Sequence, residues 1–382
     1  MMNSNLPPMK AAVAGGGFGG GFGGGYGGGF GGGFGGGFGG GFGGGFGGGF
    51  GTTDPGSAEA LARSRAALAN PADTGHYTGW PFWPDFVPDY PPDPDGAGRM
   101  ARWDGWVIPY IVLPGLLGGL RVQPSADRTT CTLLVGNQVV LTVQRPSVDL
   151  FRAQLADVLA DAELREDRAP EILMQSQNAL AFFATVLPIT PARTPATLRL
   201  LGIANQLALF AEMQMKHMFA CARPVEYSPQ VQPMITTPGH GTYPMGHGCE
   251  ARVTARLLAA LTAPAMTDPT WLSLQDQLNR LAERIAENRI VAGVHFKVDQ
   301  SAGRALGDTL SDYLIACGQN DVAGIVARVF DPAVDADKAS EAALPAASTI
   351  TLPADRLAEL RAIWKAARAE WRWINNQAPD LP

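Results

Sequence analysis

From Ser147 onward, apolar residues recur three and four positions apart in one segment after another. A chain patterned in this way buries those residues by packing helix against helix. The spacing predicts helices over Val148–Ala162, Ala169–Leu187, Pro195–Ala222, Gly248–Ala263, Pro269–Ala292 and Phe296–Cys317. A shorter helix is expected over Val322–Phe330, and a last amphipathic one over Pro353–Asn376 carries Trp364, Trp371 and Trp373. Pro195 and the Asp268-Pro269 pair stand where helices would begin, because proline's fixed φ suits a first turn that does not use its missing N–H. Strand material is confined to Trp106–Leu113, Thr129–Val135 and Gln138–Val143, with Gly136-Asn137 as a hairpin turn between the last two. The expected fold class is mostly α: a helical bundle with a small antiparallel β ribbon near residues 102–145.

The segment before this region follows different rules. Gly15 to Gly51 is nearly pure GGGF or GGGY repeat, and one aromatic in four cannot build a core around so much glycine. Residues 1–51 are therefore read as a disordered Gly/Phe-rich tail, with weak self-association through the aromatics as the alternative role. The GxGxxG strings inside the tail follow no strand and are not a dinucleotide fingerprint. Thr52–Asn70 is compatible with a short helix, within a Pro/Trp-rich segment over 52–101 expected to run extended across the domain surface. The helical domain is expected over 102–382. With 46% hydrophobic residues in 382, there is enough apolar material for one large core.

Composition excludes several function classes. A formal net charge of −6 gives no basic signature for nucleic acid or an anionic membrane. The cysteines Cys131, Cys221, Cys249 and Cys317 are far apart and form no C-x-x-C pair, so free buried thiols are expected rather than a disulfide framework or a zinc site. Met1 to Gly15 lacks the charged-then-apolar pattern of a signal peptide, and Val107–Leu120 and Ala179–Ile189 are too short and interrupted to span a membrane. The expectation is a cytoplasmic protein without a membrane partner.

Three segments concentrate cations and imidazoles. In Lys216-His-Met-Phe-Ala-Cys-Ala-Arg223-Pro224, two cations lie seven apart on an expected helix that Pro224 would end. They would form an anion clamp: arginine grips oxygens in a fork and lysine supplies a point charge. Alone, the pair is a weak signal, and a solvated cationic helix face is the commoner explanation. The second segment is His240-Gly-Thr-Tyr-Pro-Met245-Gly246-His247-Gly, followed at once by a helix. Free N–H groups and the positive end of the dipole would meet an anion there, with Gly246 allowing close approach and His247 at the rim to exchange a proton. The bland reading is two surface histidines, or a chance metal pair, in a Gly-rich loop. The third segment is Asn288-Arg289-Ile-Val-Ala-Gly293-Val-His295-Phe-Lys-Val-Asp299. With His295 and Asp299 four apart, the carboxylate can fix the ring tautomer, and Gly293 is expected to break the helix so that Arg289 and His295 both face the site. An ordinary surface His–Asp pair is the alternative.

In this order the three segments resemble the signature shared by vanadium haloperoxidases, bacterial class A acid phosphatases and type 2 phosphatidic acid phosphatases. That signature reads Lys, six residues, Arg-Pro; then Pro-Ser-Gly-His; then Ser-Arg, five residues, His, three residues, Asp. The first part matches in full, the second except for Met245 in place of Ser, and the third except for Asn288 in place of Ser. The resemblance implies the helical fold of that superfamily over the region from about Ser147 onward. It also implies roles. His295 would be the axial ligand of vanadate, or the nucleophile toward phosphorus. Lys216, Arg223, Arg289 and the Gly246 N–H would neutralise the equatorial oxygens, His247 would act as general acid and base, and Asp299 would orient His295. Histidine-bound vanadate and a phosphoryl group in transfer share shape and charge, so one cage suits both.

The expected function is a vanadium-dependent haloperoxidase that oxidises halide with hydrogen peroxide to hypohalous acid, which then acts on a small organic acceptor. The bromide preference rests on His240, which stands seven residues before His247 much as in the algal bromoperoxidases that this segment resembles. Met213 stands where the family often has tryptophan, three residues before the lysine. The alternatives are a soluble phosphatase working through a phosphohistidine, with phosphate where vanadate would sit, and a non-catalytic anion-binding or assembly protein. Met245 lacks a hydroxyl whose loss costs about 2–4 kcal/mol of transition-state stabilisation in comparable sites. Thr242 is a candidate to supply one in its place, and Asn288 retains a donor. By resemblance a homodimer is also expected, with the tryptophan-bearing C-terminal helix either at that interface or, the stronger reading, in the core.

Overall fold

The computed structural model describes Trp103 and residues 107–263, 268–335, 340–343, 350, 352 and 357–375. The expected tail over 1–51, the short helix over Thr52–Asn70 and the extended segment over 52–101 lie outside the described residues.

The described chain is mostly helical, with one small mixed sheet. In order it forms α1 (Ile108–Gly119), β1 (Leu120–Pro124), β2 (Thr130–Val135), β3 (Gln138–Gln144), α2 (Val148–Asp161), α3 (Arg165–Asn178), α4 (Leu180–Phe183) and α5 (Pro195–Phe219). There follow the one-turn α6 (Pro224–Tyr227), α7 (Gly246–Thr262), α8 (Asp268–Val291), α9 (Lys297–Gln319), β4 (Val326–Phe330), β5 (Ser340–Ala343) and α10 (Ala358–Ala369). The long helices start where the local chemistry directs. Ser147 caps α2 by accepting a hydrogen bond from the Leu150 N–H at 3.1 Å. Pro195 opens α5, whose free N–H groups at Ala196 and Thr197 donate to the Glu370 carboxylate at 2.6 and 2.8 Å. The helix expected over Ala169–Leu187 instead starts at Arg165 and divides between Asn178 and Leu180.

Two expectations are overturned. Trp106–Leu113 was expected as a strand, but α1 begins at Ile108, with Pro109 in its first turn. A short, uniformly apolar run carries no period that separates a buried helix from a buried strand, and packing on α5 decides it. Val322–Phe330 was expected as a helix, yet Val326–Phe330 is strand β4. It pairs in parallel with β3, Leu141 opposite Arg328, and antiparallel with β5. The β1–β2–β3 meander, whose hairpin turns at Gly136 as expected, is therefore three strands of a five-stranded sheet rather than a ribbon.

Helix α7 is the hub of the bundle, packed by α5, α8 and α9. Its closeness to α9 needs glycine: a Cβ at Gly303 would lie 2.4 Å from the Met245 carbonyl oxygen. Trp364 and Trp371 are 2% and 0% exposed, so in the described chain they serve the core and not an outer face. Cys131, Cys221, Cys249 and Cys317 are buried free thiols, as expected. Among the described residues no helix is long and apolar enough to cross a membrane.

Candidate functional site

The three segments meet at the N-terminal end of α7. Lys216 lies in the last turn of α5, and its buried ammonium donates to the carbonyl oxygens of Gly241 and Thr242 at 3.2 and 3.0 Å. That ties the loop before α7 to the end of α5. The Met245 N–H donates to the Asp299 carbonyl at 2.8 Å, tying the same loop to α9.

Arg223 arrives by a route the spacing did not foretell. It was expected on the helix face of Lys216, but α5 stops at Phe219 and the left-handed Ala220 (φ 48°) turns the chain before Pro224 is reached. Arg223 instead has extended backbone just ahead of α6. Its buried guanidinium donates from Nε to the His240 carbonyl at 3.0 Å and from one terminal nitrogen to the Val294 carbonyl at 2.7 Å. It also reaches two rings, His240 Nδ1 at 3.1 Å and His295 Nε2 at 2.9 Å.

That last contact assigns the His295 tautomer. Arginine has only donors, so Nε2 accepts and the ring proton resides on Nδ1. Nδ1 is 3.0 Å from Asp299 Oδ2, an oxygen that also accepts from the Thr242 hydroxyl at 2.5 Å and the Phe296 N–H at 2.8 Å. His295 precedes α9 rather than lying on it, and Asp299 sits in the helix's first turn. The expected orienting contact is therefore present, but through a helix-capping carboxylate rather than a one-turn helical spacing. Thr242, a candidate to replace the missing serine hydroxyl, is committed to Asp299.

Met245 is the residue before α7, fully buried and without a side-chain capping bond. Its sulfur lies 3.4 Å from where a Gly248 Cβ would be, beside Ala286 of α8. His247 is in the first turn of α7, and its Nε2 is buried with no hydrogen-bond partner. Gly246 was expected to admit an oxyanion. What approaches it is a carboxyl: a Cβ there would lie 2.6 Å from Glu212 Oε1 and 2.9 Å from Oε2.

Gly293 ends α8 with φ at +82°, its N–H bonded to the Ile290 carbonyl at 2.8 Å and the Val294 N–H to the Arg289 carbonyl at 3.2 Å. This paired closure needs the left-handed conformation that glycine takes without strain. The expected break is thus real and carries His295 to the site. Arg289 is only partly recruited, because its terminal nitrogens donate to the Ser176 hydroxyl at 2.5 Å and the Ile172 carbonyl at 2.8 Å, both on α3. Its buried Nε has no partner. Asn288 turns from the site altogether: its amide donates to Gln175 at 2.8 Å and accepts from Arg168 at 3.2 Å.

Burial dominates the electrostatics. It holds His247 and His295 neutral, well below the usual imidazole range, helped by Arg289, Lys216 and Arg223 for the first and by Arg223 and Lys216 for the second. His240 is pushed down to about 3 by burial and the same two cations. Burial raises Asp299 to about 6 against the opposing Thr242 and Phe296 bonds, and pushes up the carboxyls of Glu212 and Glu250. Burial lowers the Lys216 ammonium, an effect that Arg223 reinforces and the neighbouring carboxyls oppose. Reasoning from the sequence missed Glu212 and Glu250. The signal was one turn of helix between Glu212 and Lys216, but that spacing reads first as a solvated surface pair.

The arrangement offers a neutral histidine whose lone pair accepts from Arg223, three cations and an imidazole with one unpartnered nitrogen around one helix N-terminus. Such a set can bind a tetrahedral oxyanion and exchange a proton with it. In comparison with known proteins, the chain matches no family model, and no curated protein matches it.

Proposed function

We propose that the chain binds a tetrahedral oxyanion at the N-terminal end of α7 and acts as a vanadium-dependent haloperoxidase, oxidising halide, with bromide favoured, at the expense of hydrogen peroxide. The observation that carries this reading is His295. Its Nδ1–H is held by the buried Asp299, its Nε2 lone pair faces Arg223, and Lys216 adds positive charge nearby. The residues fit vanadate on a further ground. His247 Nε2 and Arg289 Nε are buried nitrogens without partners, and buried polar atoms are rarely left so unless something else satisfies them. His295 would hold the metal, and Lys216, Arg223, Arg289 and the Gly246 N–H would face its oxygens. Bound vanadate supplies a Lewis acid that polarises hydrogen peroxide. The protein's part is proton management. Burial, reinforced by the cations, keeps His247 neutral; an anion offsets the cations' share, so the ring can take up a proton and return it. Asp299 holds His295 in one orientation throughout.

The same His295 geometry also favours a second reading, a phosphatase in which Nε2 attacks phosphorus and His247 protonates the leaving alkoxide. The test is bromination of a reporter dione by the full chain with hydrogen peroxide and bromide, before and after incubation with orthovanadate. Vanadate-dependent turnover is expected. Absence of turnover in folded protein, with phosphate-ester hydrolysis lost in His295→Ala, transfers the reading to the phosphatase. Binding of anions without either reaction leaves an anion-binding protein.

A further inference from the structure

Glu212 belongs to none of the three motifs, yet it is placed at the point where they converge. It is 1% exposed, it sits one turn before Lys216 on α5, and its carboxyl lies against the first residue of α7. Its Oε2 is buried with no hydrogen-bond partner. Gly246 leaves room for this placement, since a Cβ there would lie 2.6 Å from Glu212 Oε1 and the carboxyl would have to shift. The groups that face Glu212 are Lys216 on its own helix, Arg223 on the segment after it, and Cys249 and Glu250 on α7. An ionised carboxylate here would sit beside the positive end of α7 and repel an incoming anion. A neutral one carries an O–H that can donate to it.

The position also answers a deficit. The residue before α7 is Met245, whose side chain turns toward Gly248 and Ala286 and offers no donor. We propose that Glu212, as the protonated acid, supplies the bound oxyanion with the hydrogen-bond donor that Met245 lacks. The inference rests on the oxyanion reading above and makes that site proton-dependent. Burial pushes the Glu212 carboxyl up to about 7, so the donor form is retained into the neutral range.

The experiment is calorimetric binding of tungstate, a tetrahedral dianion whose own charge is constant across this range, to the full chain below and above neutral pH. Wild-type affinity is expected to fall as pH rises. Glu212→Gln, which keeps an N–H donor at every pH, is expected to bind within about threefold of the low-pH wild type and to lose most of the pH dependence. Glu212→Ala is expected to bind about tenfold more weakly at low pH, and adding Met245→Ser to it to recover most of that loss. A purely structural role for Glu212 would not be rescued in this way. Near wild-type affinity in Glu212→Ala, or the full wild-type pH dependence in Glu212→Gln, overturns the role of Glu212 and leaves the oxyanion site standing. Wild-type protein that binds no tungstate at any pH overturns the site reading, and this inference with it.

Discussion

Helix α7 buries charge in two places, and the two clusters follow opposite rules. Nearly two turns into the helix and beyond, Arg252 and Arg256 meet Asp308 of α9 at 2.6 and 3.0 Å. Arg256 also pairs with Asp312, which Arg328 of β4 grips from the other side at 2.6 Å, and Glu341 of β5 meets Arg328 at 3.0 Å. Cations and carboxylates alternate there, so opposite charges lie within contact of each other and the cluster ties α7, α9 and the sheet together. In that cluster Arg256 Nε alone lacks a partner. At the N-terminal end, around Gly246 and His247, the matching is less complete, although Asp299 is paired with His295. Three imidazoles are held neutral, carboxyls are pushed toward protonation, and His247, Glu212, Arg289 and Asp299 each keep a buried polar atom without a partner. A matched buried cluster is a structural joint. An unmatched one is expensive to fold and is kept where a ligand completes it.

This contrast makes testable claims. The largest effect belongs to the joint. Asp308→Ala takes the shared carboxylate from two half-buried arginines, which keep Asn279 and Asp312, and is expected to cost about 3 kcal/mol of stability by chemical denaturation. Oxyanion affinity in the folded fraction should stay unchanged; a selective loss of binding would merge the two clusters into one. At the open end the pattern reverses. His295→Ala is expected to weaken vanadate binding by about 100-fold or more while costing less stability than the loss of Asp308, since Asp299 keeps its bonds from Thr242 and Phe296 and Arg223 keeps those to the His240 and Val294 carbonyls. Unchanged affinity in titration would remove His295 from the site.

Met245→Ser sharpens the comparison because it touches both properties. Shrinking a fully buried methionine is expected to cost about 2 kcal/mol of stability. The added hydroxyl is expected to raise oxyanion affinity about threefold to tenfold. A fall in both would mean that the loop is built around the thioether. The last effect concerns pH and is absent at neutrality. The unfolded chain protonates the His240 ring near 6.5, whereas the folded chain resists until about 3. A depressed histidine contributes stability that is present above the unfolded value and is lost as pH falls through this window. His240→Gln should therefore flatten the acid side of the stability profile, measured as denaturation midpoints across that range. An unchanged slope would show that the ring is not held neutral by the fold.

The helices were legible from the sequence because their apolar period is long and repeated, and their starts carry local chemistry at Ser147, Pro195 and Pro269. Their ends were less so. The end of α5 is set by Ala220, a residue with no intrinsic taste for the left-handed conformation that tertiary packing imposes on it. The sheet was half legible. The β2–β3 hairpin is encoded within a few residues, whereas β4 is a strand only because β3, nearly two hundred residues earlier, is there to pair with it.

Within the site, the sequence by itself determined the chemical inventory and its order: Lys216, Arg223, His240, Gly246, His247, Arg289, His295 and Asp299, together with the glycine break at Gly293. These follow from residue identity and order, whereas the helical spacing read for Lys216–Arg223 and His295–Asp299 did not carry over. Only the tertiary structure decided which members face one another. It gave Thr242 to Asp299, turned Asn288 and two nitrogens of Arg289 toward α3, and brought Glu212 against Gly246. Each of these contacts joins elements far apart in the chain. Their geometry depends on how helices pack, and a one-dimensional pattern carries no measure of that.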